Sequence, residues 1–369
     1  MVTTIIGKNY NQVYKEIKKN KDIWNLFSRF EEYDPIKLDE HQRFTFAFSR
    51  NVDILRPSVS EYLLSQGFHF NYPDEKSWAL LLTHDIDDIY VRNRHLFLSL
   101  LYFPKNGDLK GMYNLIKGRL NKRYSPYNNF KKIISVEQQY NATSTFYFLS
   151  SPDDIFGYKY SLEEIQDTLG FIIDQNCEIG FHTGYYHYDD VEKIKKEKAH
   201  MEKLIGGPLI GVRNHVLRFQ TPQSWEILAN AGFRYDSTYG YIDMIGFRNG
   251  MCHPFIPYNL NTKQPIDILE MPLNIQDWTI SYIMKNNPQQ AWTLIKQLLD
   301  TVKKNQGVLN ILWHNWTFSF PTSVGNIFEK EWTKLYQKIL AYAHENNAWI
   351  TNCKDFYNYY QKHDFVTHS

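Results

Sequence analysis

The stretch Trp78-Ala79-Leu80-Leu81-Leu82-Thr83-His84-Asp85-Ile86-Asp87-Asp88 decides the fold. Its apolar half reads as a buried strand. Carboxylates packed at the end of such a strand are costly unless they are paired or hold a cation. In α/β folds the carboxyl ends of strands are where sites are built. Three later apolar runs close in the same way: Glu178-Ile179-Gly180-Phe181-His182-Thr183, Leu209-Ile210-Gly211-Val212-Arg213-Asn214-His215 and Val308-Leu309-Asn310-Ile311-Leu312-Trp313-His314-Asn315. Asp, His, Arg with His, and His, each at a strand end, predict one site at a barrel mouth.

Bulk composition narrows the function. The 369 residues suffice for one large domain with an extension. A formal charge of +1 argues against nucleic acid as a partner. Cys177, Cys252 and Cys353 are far apart and form no metal-binding pair spacing, so a reducing compartment is expected. The first residues lack a basic segment followed by a long apolar one, and no apolar run approaches the ~20 residues of a membrane span. The expected location is therefore cytoplasmic. The 27 Tyr, 24 Phe and 9 Trp suit a protein that stacks on sugars, although core packing accounts for most aromatic residues.

Residues 1–75 read as a mainly helical N-terminal extension, with one helical pattern over Asn11 to Arg29. Residues 76–369 read as the barrel. Within them, 90–140 form a helical insertion after the first strand, suited to a lid. Its apolar stretch Leu96 to Phe103 and the basic residues through Arg123 are compatible with peripheral membrane contact over 96–123. From Ala142 onward strands and helices alternate: helices over Ser161–Asp174 (Ser161 and Glu164 in a capping pattern), Val191–Ile205, Pro222–Ala231, Gln289–Lys304 and Glu329–Asn346. Such alternation implies right-handed crossovers and a parallel sheet. The expected fold is α/β: a distorted (β/α) barrel of about seven mostly parallel strands.

Asp85 and Asp87, two apart at a strand end, lie on one side and repel unless a cation or a shared proton relieves them. One suits a metal ligand and the other a general base; a helix N-cap cluster is the bland alternative. His182 and His215 complete a carboxylate and imidazole set with room for water, the ligand type of a catalytic divalent metal. Arg213 is a fixed cation able to orient Asp85 or hold an anion. His314, reached through an apolar run, suits a general acid. The loops Asp236–Tyr241 and Gly246–Gly250 contain Tyr241 and Arg248, which suit sugar stacking and an anion contact, and Trp313 adjoins the acid.

Together these segments resemble the polysaccharide deacetylase superfamily, the NodB-homology or carbohydrate esterase family four enzymes, and in particular a branch whose first motif reads Thr-His-Asp-x-Asp. The resemblance runs from about Trp78 to the C-terminal helix. It implies Asp85 as base, Asp87 and His182 as metal ligands, Arg213 as the third-motif arginine and His314 as acid. Two departures stand out. Ile86 separates the two aspartates, which leaves open which of them is base and which is ligand. The usual second histidine four residues after His182 is Tyr186, with His187 one further, so the third ligand is His215 (or His187).

The resemblance implies a metal-dependent hydrolase that removes an acetyl group from an amino sugar or glycan intermediate by breaking a C–N amide bond. It implies one divalent transition metal, Zn first, with Co, Ni, Mn or Fe compatible. A nucleotide- or lipid-linked sugar suits a cytoplasmic enzyme, and no protein partner is implied. Two rivals remain: another metal-dependent amide or phosphoester hydrolase on the same scaffold, and a non-catalytic carbohydrate-binding protein.

Overall fold

A computed structural model of the chain describes residues 10–90, 107, 109–319, 330–363 and 365–368. Its first barrel strand, β1 (Trp78–Ile86), has all nine residues buried, as a run apolar on both faces requires. The other strands of the same sheet are β2 (Thr145–Leu149), β3 (Glu178–Thr183), β4 (Gly211–Asn214), β5 (Tyr235–Asp236), β6 (Leu269–Glu270), β7 (Ile275–Gln276), β8 (Val308–Leu312) and β9 (Ala348–Thr351). Their order is β7-β8-β1-β2-β3-β4-β5-β6, with β9 also on β1. Every pairing is parallel.

The architecture is thus a distorted (β/α) barrel, with nine strands among the described residues where about seven were expected. Three of them are two residues long, too short to show periodicity. β1 carries two partners on one edge. β9 pairs Trp78–Leu81, and β2 pairs Thr83–Ile86. The carboxyl half of β1 thus pairs with β2, and β3 and β4 follow in parallel, so that the carboxyl ends of β1 to β4 lie along one edge.

Strand alternation then assigns the side chains of β1. His84 points outward. Its Nε2 lies 2.8 Å from Glu137 on the helix Phe130–Gln138, and Tyr336 on the helix Lys330–Glu345 donates to the same carboxylate. Thr83 and Asp85 point inward, to Arg213. The helix Phe130–Gln138, within the stretch read as an insertion, is therefore a packing layer of the barrel itself. The apolar segment 96–103, on which membrane contact was expected, lies outside the described residues. Among the described residues no helix is long and apolar enough to cross a membrane.

The outer helices carry their own start signals. Asp190 caps Val191–Ile205, Asn352 caps Cys353–Lys362, and Asn287 with Gln290 forms a capping box before Pro288–Lys304. Two expectations fail locally. The pattern over Asn11 to Arg29 is two helices, Tyr10–Ile17 and Lys21–Ser28, because Asn20 caps the second. The segment from Ser161 begins as a 3₁₀ turn at Glu163–Ile165 and becomes α-helical at Gln166, with no side-chain cap.

The N-terminal segment is packed into the barrel's core. Tyr10, Val13, Tyr14 and Ile17 are buried in the same apolar cluster as β1. Tyr14 donates to the Ile256 carbonyl at 2.9 Å. The fastening is ionic: Glu32, fully buried, accepts from Arg248 through both carboxylate oxygens (2.9 and 2.8 Å), from Arg29 (2.8 Å) and from Thr221 (2.7 Å). Burial would raise the Glu32 carboxyl, but the two guanidinium groups outweigh it and hold it at about 2 against an ordinary 4.5.

Removing one member of a buried ion cluster strands the others, at a cost of about 3–5 kcal/mol. Glu32→Ala is expected to lose that much in urea unfolding at pH 7. A depressed carboxyl contributes stability above its unfolded pKa and loses it as pH falls through its folded one. The gap between wild type and variant should therefore narrow as pH drops from about 4.5 toward 2. Equal unfolding midpoints at pH 7 would show the cluster to be idle.

Candidate metal centre

Asp87, one residue beyond β1, meets two imidazoles. Its Oδ1 is 3.4 Å from His182 Nε2, at the end of β3, and 3.4 Å from His215 Nδ1, just past β4. The two ring nitrogens are 3.0 Å apart. These three atoms are the one grouping of metal-type donors found among the described residues.

Their protonation logic favours a cation. His182 Nδ1 lies 2.9 Å from the Arg213 carbonyl, which places its proton there and leaves a lone pair on Nε2. His215 Nε2 lies 2.8 Å from an Asp154 carboxylate oxygen, so that nitrogen calls for the proton and Nδ1 also presents a lone pair. Asp87 Oδ1 is buried without a hydrogen-bond donor. Three lone pairs thus converge. Their spacings approach the ~3.4 Å edge of a tetrahedron built from ~2.1 Å bonds to a divalent ion. The residues fit a metal of the Zn type, and the open side leaves a position for water. Burial would raise the Asp87 carboxyl, but His215, His182, Lys159 and His314 around it hold it well below the usual range.

Two acid–base pairs flank the cluster. On one side the inward face of the barrel carries Arg213, fully buried. It donates to Asp85 Oδ1 (2.8 Å), Thr83 Oγ1 (2.9 Å), and both the carbonyl (2.8 Å) and hydroxyl (2.7 Å) of Ser237, and it lies over the Tyr147 ring at 4.5 Å. The other Asp85 oxygen is 3.8 Å from His182 Nε2. The second pair adjoins Asp87 itself: His314 Nε2 is 3.8 Å from Asp87 Oδ2. His314 Nδ1 is 2.6 Å from Asp277, whose second oxygen accepts the His314 backbone N–H at 2.8 Å. Burial alone would lower the His314 imidazole; Asp277 in contact, with Asp87 and Asp85 nearby, raises it to about 9. The ring stacks on Trp316, with centroids 4.8 Å apart.

The structure brings together Asp85, Asp87, His182, Arg213, His215 and His314. It places His187 elsewhere: its Nδ1 is 2.5 Å from Glu197, and its side chain is 28 % exposed on the outer side of the turn. Three expected substrate contacts are corrected. Arg248, 3 % exposed, is spent on Glu32 and the Gly240 carbonyl. Tyr241 accepts from Arg29 at 2.7 Å in the same buried cluster. Trp313 is fully buried against Trp332 and Tyr336, because its neighbour His314 takes the inward direction.

Asp277 and Asp154 did not stand out in the sequence. Asp277-Trp278 closes a strand of two residues, and the only available signal was an acid and an aromatic beside a short apolar stretch. Asp154 sits in a loop with no periodic context.

No family model and no curated protein sequence gives a match. Solved structures do. An inferred polysaccharide deacetylase from Mycobacterium smegmatis overlaps 81 % of this chain and 95 % of its own, at 16 % identity and a TM-score of 0.52. Weaker overlaps include the peptidoglycan deacetylase PdaC from Bacillus subtilis, with 79 % and 94 % covered, 12 % identity and a TM-score of 0.36. They also include the carbohydrate esterase family four pseudoenzyme BA3943 from Bacillus anthracis, with 78 % and 68 % covered, 11 % identity and a TM-score of 0.38. The chain has the polysaccharide deacetylase, or NodB-homology, fold.

The two candidate third ligands separate by titration with Zn²⁺ against a chromogenic chelator. His215→Ala and His182→Ala are expected to lose stoichiometric binding, and His187→Ala to keep it. Loss in His187→Ala with retention in His215→Ala would reverse the ligand set.

Proposed function

We propose that the protein is a metal-dependent deacetylase acting on an N-acetylated sugar. The observation that carries this reading is that a base pair, Asp85–Arg213, and an acid pair, His314–Asp277, each adjoin the Asp87, His182 and His215 donors, the first at His182 and the second at Asp87. Hydrolysis of an amide needs a proton removed from water and one delivered to the departing nitrogen, and a carboxylate and an imidazole at the same site can supply both.

Asp87, His182 and His215 would hold the metal. A divalent ion there polarises an acyl carbonyl and acidifies water. Asp85, held by the Arg213 guanidinium at 2.8 Å, takes the proton from the attacking water. Its carboxylate is fixed by that bond and by the Thr83 contact to the same guanidinium, so it meets the water without reorganising. His314, charged near neutrality, donates its Nε2 proton to the amine as the C–N bond breaks. Asp277 fixes the ring through Nδ1 and supports the charge that makes it an acid.

The surroundings favour a sugar. Trp278 stacks on Tyr282 with centroids 4.3 Å apart, and Trp316 meets Trp278 edge-on at 6.1 Å. This aromatic wall stands beside the acid and suits the apolar face of a pyranose.

Asp85→Asn is expected to retain Zn²⁺ and lose turnover by at least about 10²-fold, the lower range for a general base. The assay is acetate release from a panel of N-acetylated and O-acetylated sugars, with linear amides (amine release) and phosphate esters (phosphate release) as controls. Activity on the controls alone would replace the substrate class. Full activity in Asp85→Asn would remove its role as base.

The His314 acid form is lost as pH rises through its pKa. The kcat/KM profile should therefore fall on the alkaline side, at or below about 9, since a cation at Asp87 cancels one of the charges that raise it. Asp277→Asn should move that limb to lower pH. An unmoved limb would detach it from His314.

A further inference from the structure

The third metal-type donor in this chain comes from an unusual place. His215 opens a short turn, His215–Leu217, whose next two residues have left-handed backbone: Val216 at φ 50° and Leu217 at φ 55°. A β-branched residue there is strained by roughly 1–2 kcal/mol. A ligand on such a turn is not positioned by regular structure, so its orientation must come from neighbours. Two neighbours hold its backbone. Thr183 Oγ1 accepts the His215 N–H at 3.2 Å, and Arg43 donates to the Val216 carbonyl at 2.5 Å. Neither controls the imidazole.

Asp154 is the group that faces it. Its Oδ2 is 2.8 Å from His215 Nε2, and its side chain is 1 % exposed. Neither of these two atoms has a hydrogen-bond partner; the contact is close but out of line for a formed bond. The other oxygen of Asp154 is committed, accepting the Phe156 N–H at 2.9 Å, which locks the carboxylate's direction. Lys159, also 1 % exposed, lies 3.8 Å from Asp154 and 3.7 Å from Asp88, and so links this carboxylate to the acidic end of β1. A buried carboxylate with one oxygen tied down and the other aimed at the far nitrogen of a ligand ring is the arrangement that orients a metal-bound imidazole.

We propose that Asp154 is a positioning residue of the metal centre: its Oδ2 accepts a hydrogen bond from His215 Nε2–H, and thereby turns Nδ1 as a lone pair toward Asp87 and His182. This rests on the metal-centre reading above. Lys159 supplies the countercharge that lets the carboxylate stay buried. The loop after β2 thereby supports a ligand displaced from the turn after β3 to the turn after β4.

The test uses the full chain with Co²⁺ and Zn²⁺ alone as probes. Dissociation constants come from chelator competition, and ligand geometry from the Co²⁺ d–d spectrum. Asp154→Ala should weaken Zn²⁺ binding about 10–100-fold and alter the Co²⁺ band shape, while the metal-free melting temperature changes little. Asp154→Asn keeps the shape and one acceptor oxygen; it should fall between wild type and Asp154→Ala, and it decides the matter if Asp154→Ala does not fold. Zn²⁺ affinity within twofold of wild type and an unchanged Co²⁺ spectrum would overturn the proposal and leave the metal centre standing. A wild-type chain that binds neither ion would instead remove the metal centre, and this role with it.

Discussion

The Arg213–Asp85 bond is the constraint from which the barrel's working end is built. A fully buried guanidinium is tolerable only if its donors find acceptors, and here β1 and the Ser237 segment accept four hydrogen bonds from it. Ser237 also accepts from Asn310 on β8 at 2.7 Å, and Asn310 donates to the Met271 carbonyl. One polar chain therefore runs from β1 through β4 and the end of β5 to β8, across an interior that would otherwise be filled by apolar layers. Its geometric consequence reaches the metal donors. The Arg213 carbonyl fixes the tautomer of His182, so the residue that holds Asp85 also directs the His182 lone pair toward Asp87 and His215. A change at Arg213 thus touches Asp85 and the donor cluster together, which makes it a poor probe of either alone.

The inner and outer faces of β1 divide structure from chemistry. His84, Glu137, Ser144 and Tyr336 form a closed hydrogen-bonded set on the outer side, where a buried imidazole is satisfied and has no reacting partner. Asp85, one residue on, faces the opening. The alternation of a strand sorts adjacent polar residues of one motif into one that packs outward and one that faces the candidate site.

That sorting explains what the sequence made legible. Residues that end long apolar strands were readable, because burial forces a reason on any charge found there. Asp85, Asp87, His182, Arg213, His215 and His314 all belong to that set. Arg248 and Tyr241 misled for the opposite reason. They lie in Gly-rich loops, where single charges beside aromatics look exposed, and only tertiary contact shows that Glu32 and Arg29, more than two hundred residues earlier, occupy Arg248 and Tyr241 respectively. Trp313 was misjudged by adjacency, since neighbours in a strand point apart. Asp277 and Asp154 act through other side chains from a two-residue strand and a loop, neither of which has a period that sequence could reveal.

The N-terminal segment then acquires a reason beyond core packing. Its stretch Asp39–Arg43 lies against the turn that carries His215. Arg43, paired with Asp39, holds the Val216 carbonyl; Arg218 donates to the His41 carbonyl and to that of Tyr185; and His41 Nδ1 lies 2.8 Å from the Tyr185 hydroxyl. Tyr185 in turn sits edge-on to the His215 ring at 6.5 Å. A strained turn persists only when its surroundings over-determine it, and these contacts are what surrounds it on the outer side. The ionic cluster at Glu32 and the turn at His215 are consequently parts of one arrangement: the first anchors the segment whose later residues hold the second. A barrel with a regular second histidine would have no such need. In this chain His215 sits on a turn that its own backbone does not favour, and the N-terminal segment supplies the support that local structure lacks.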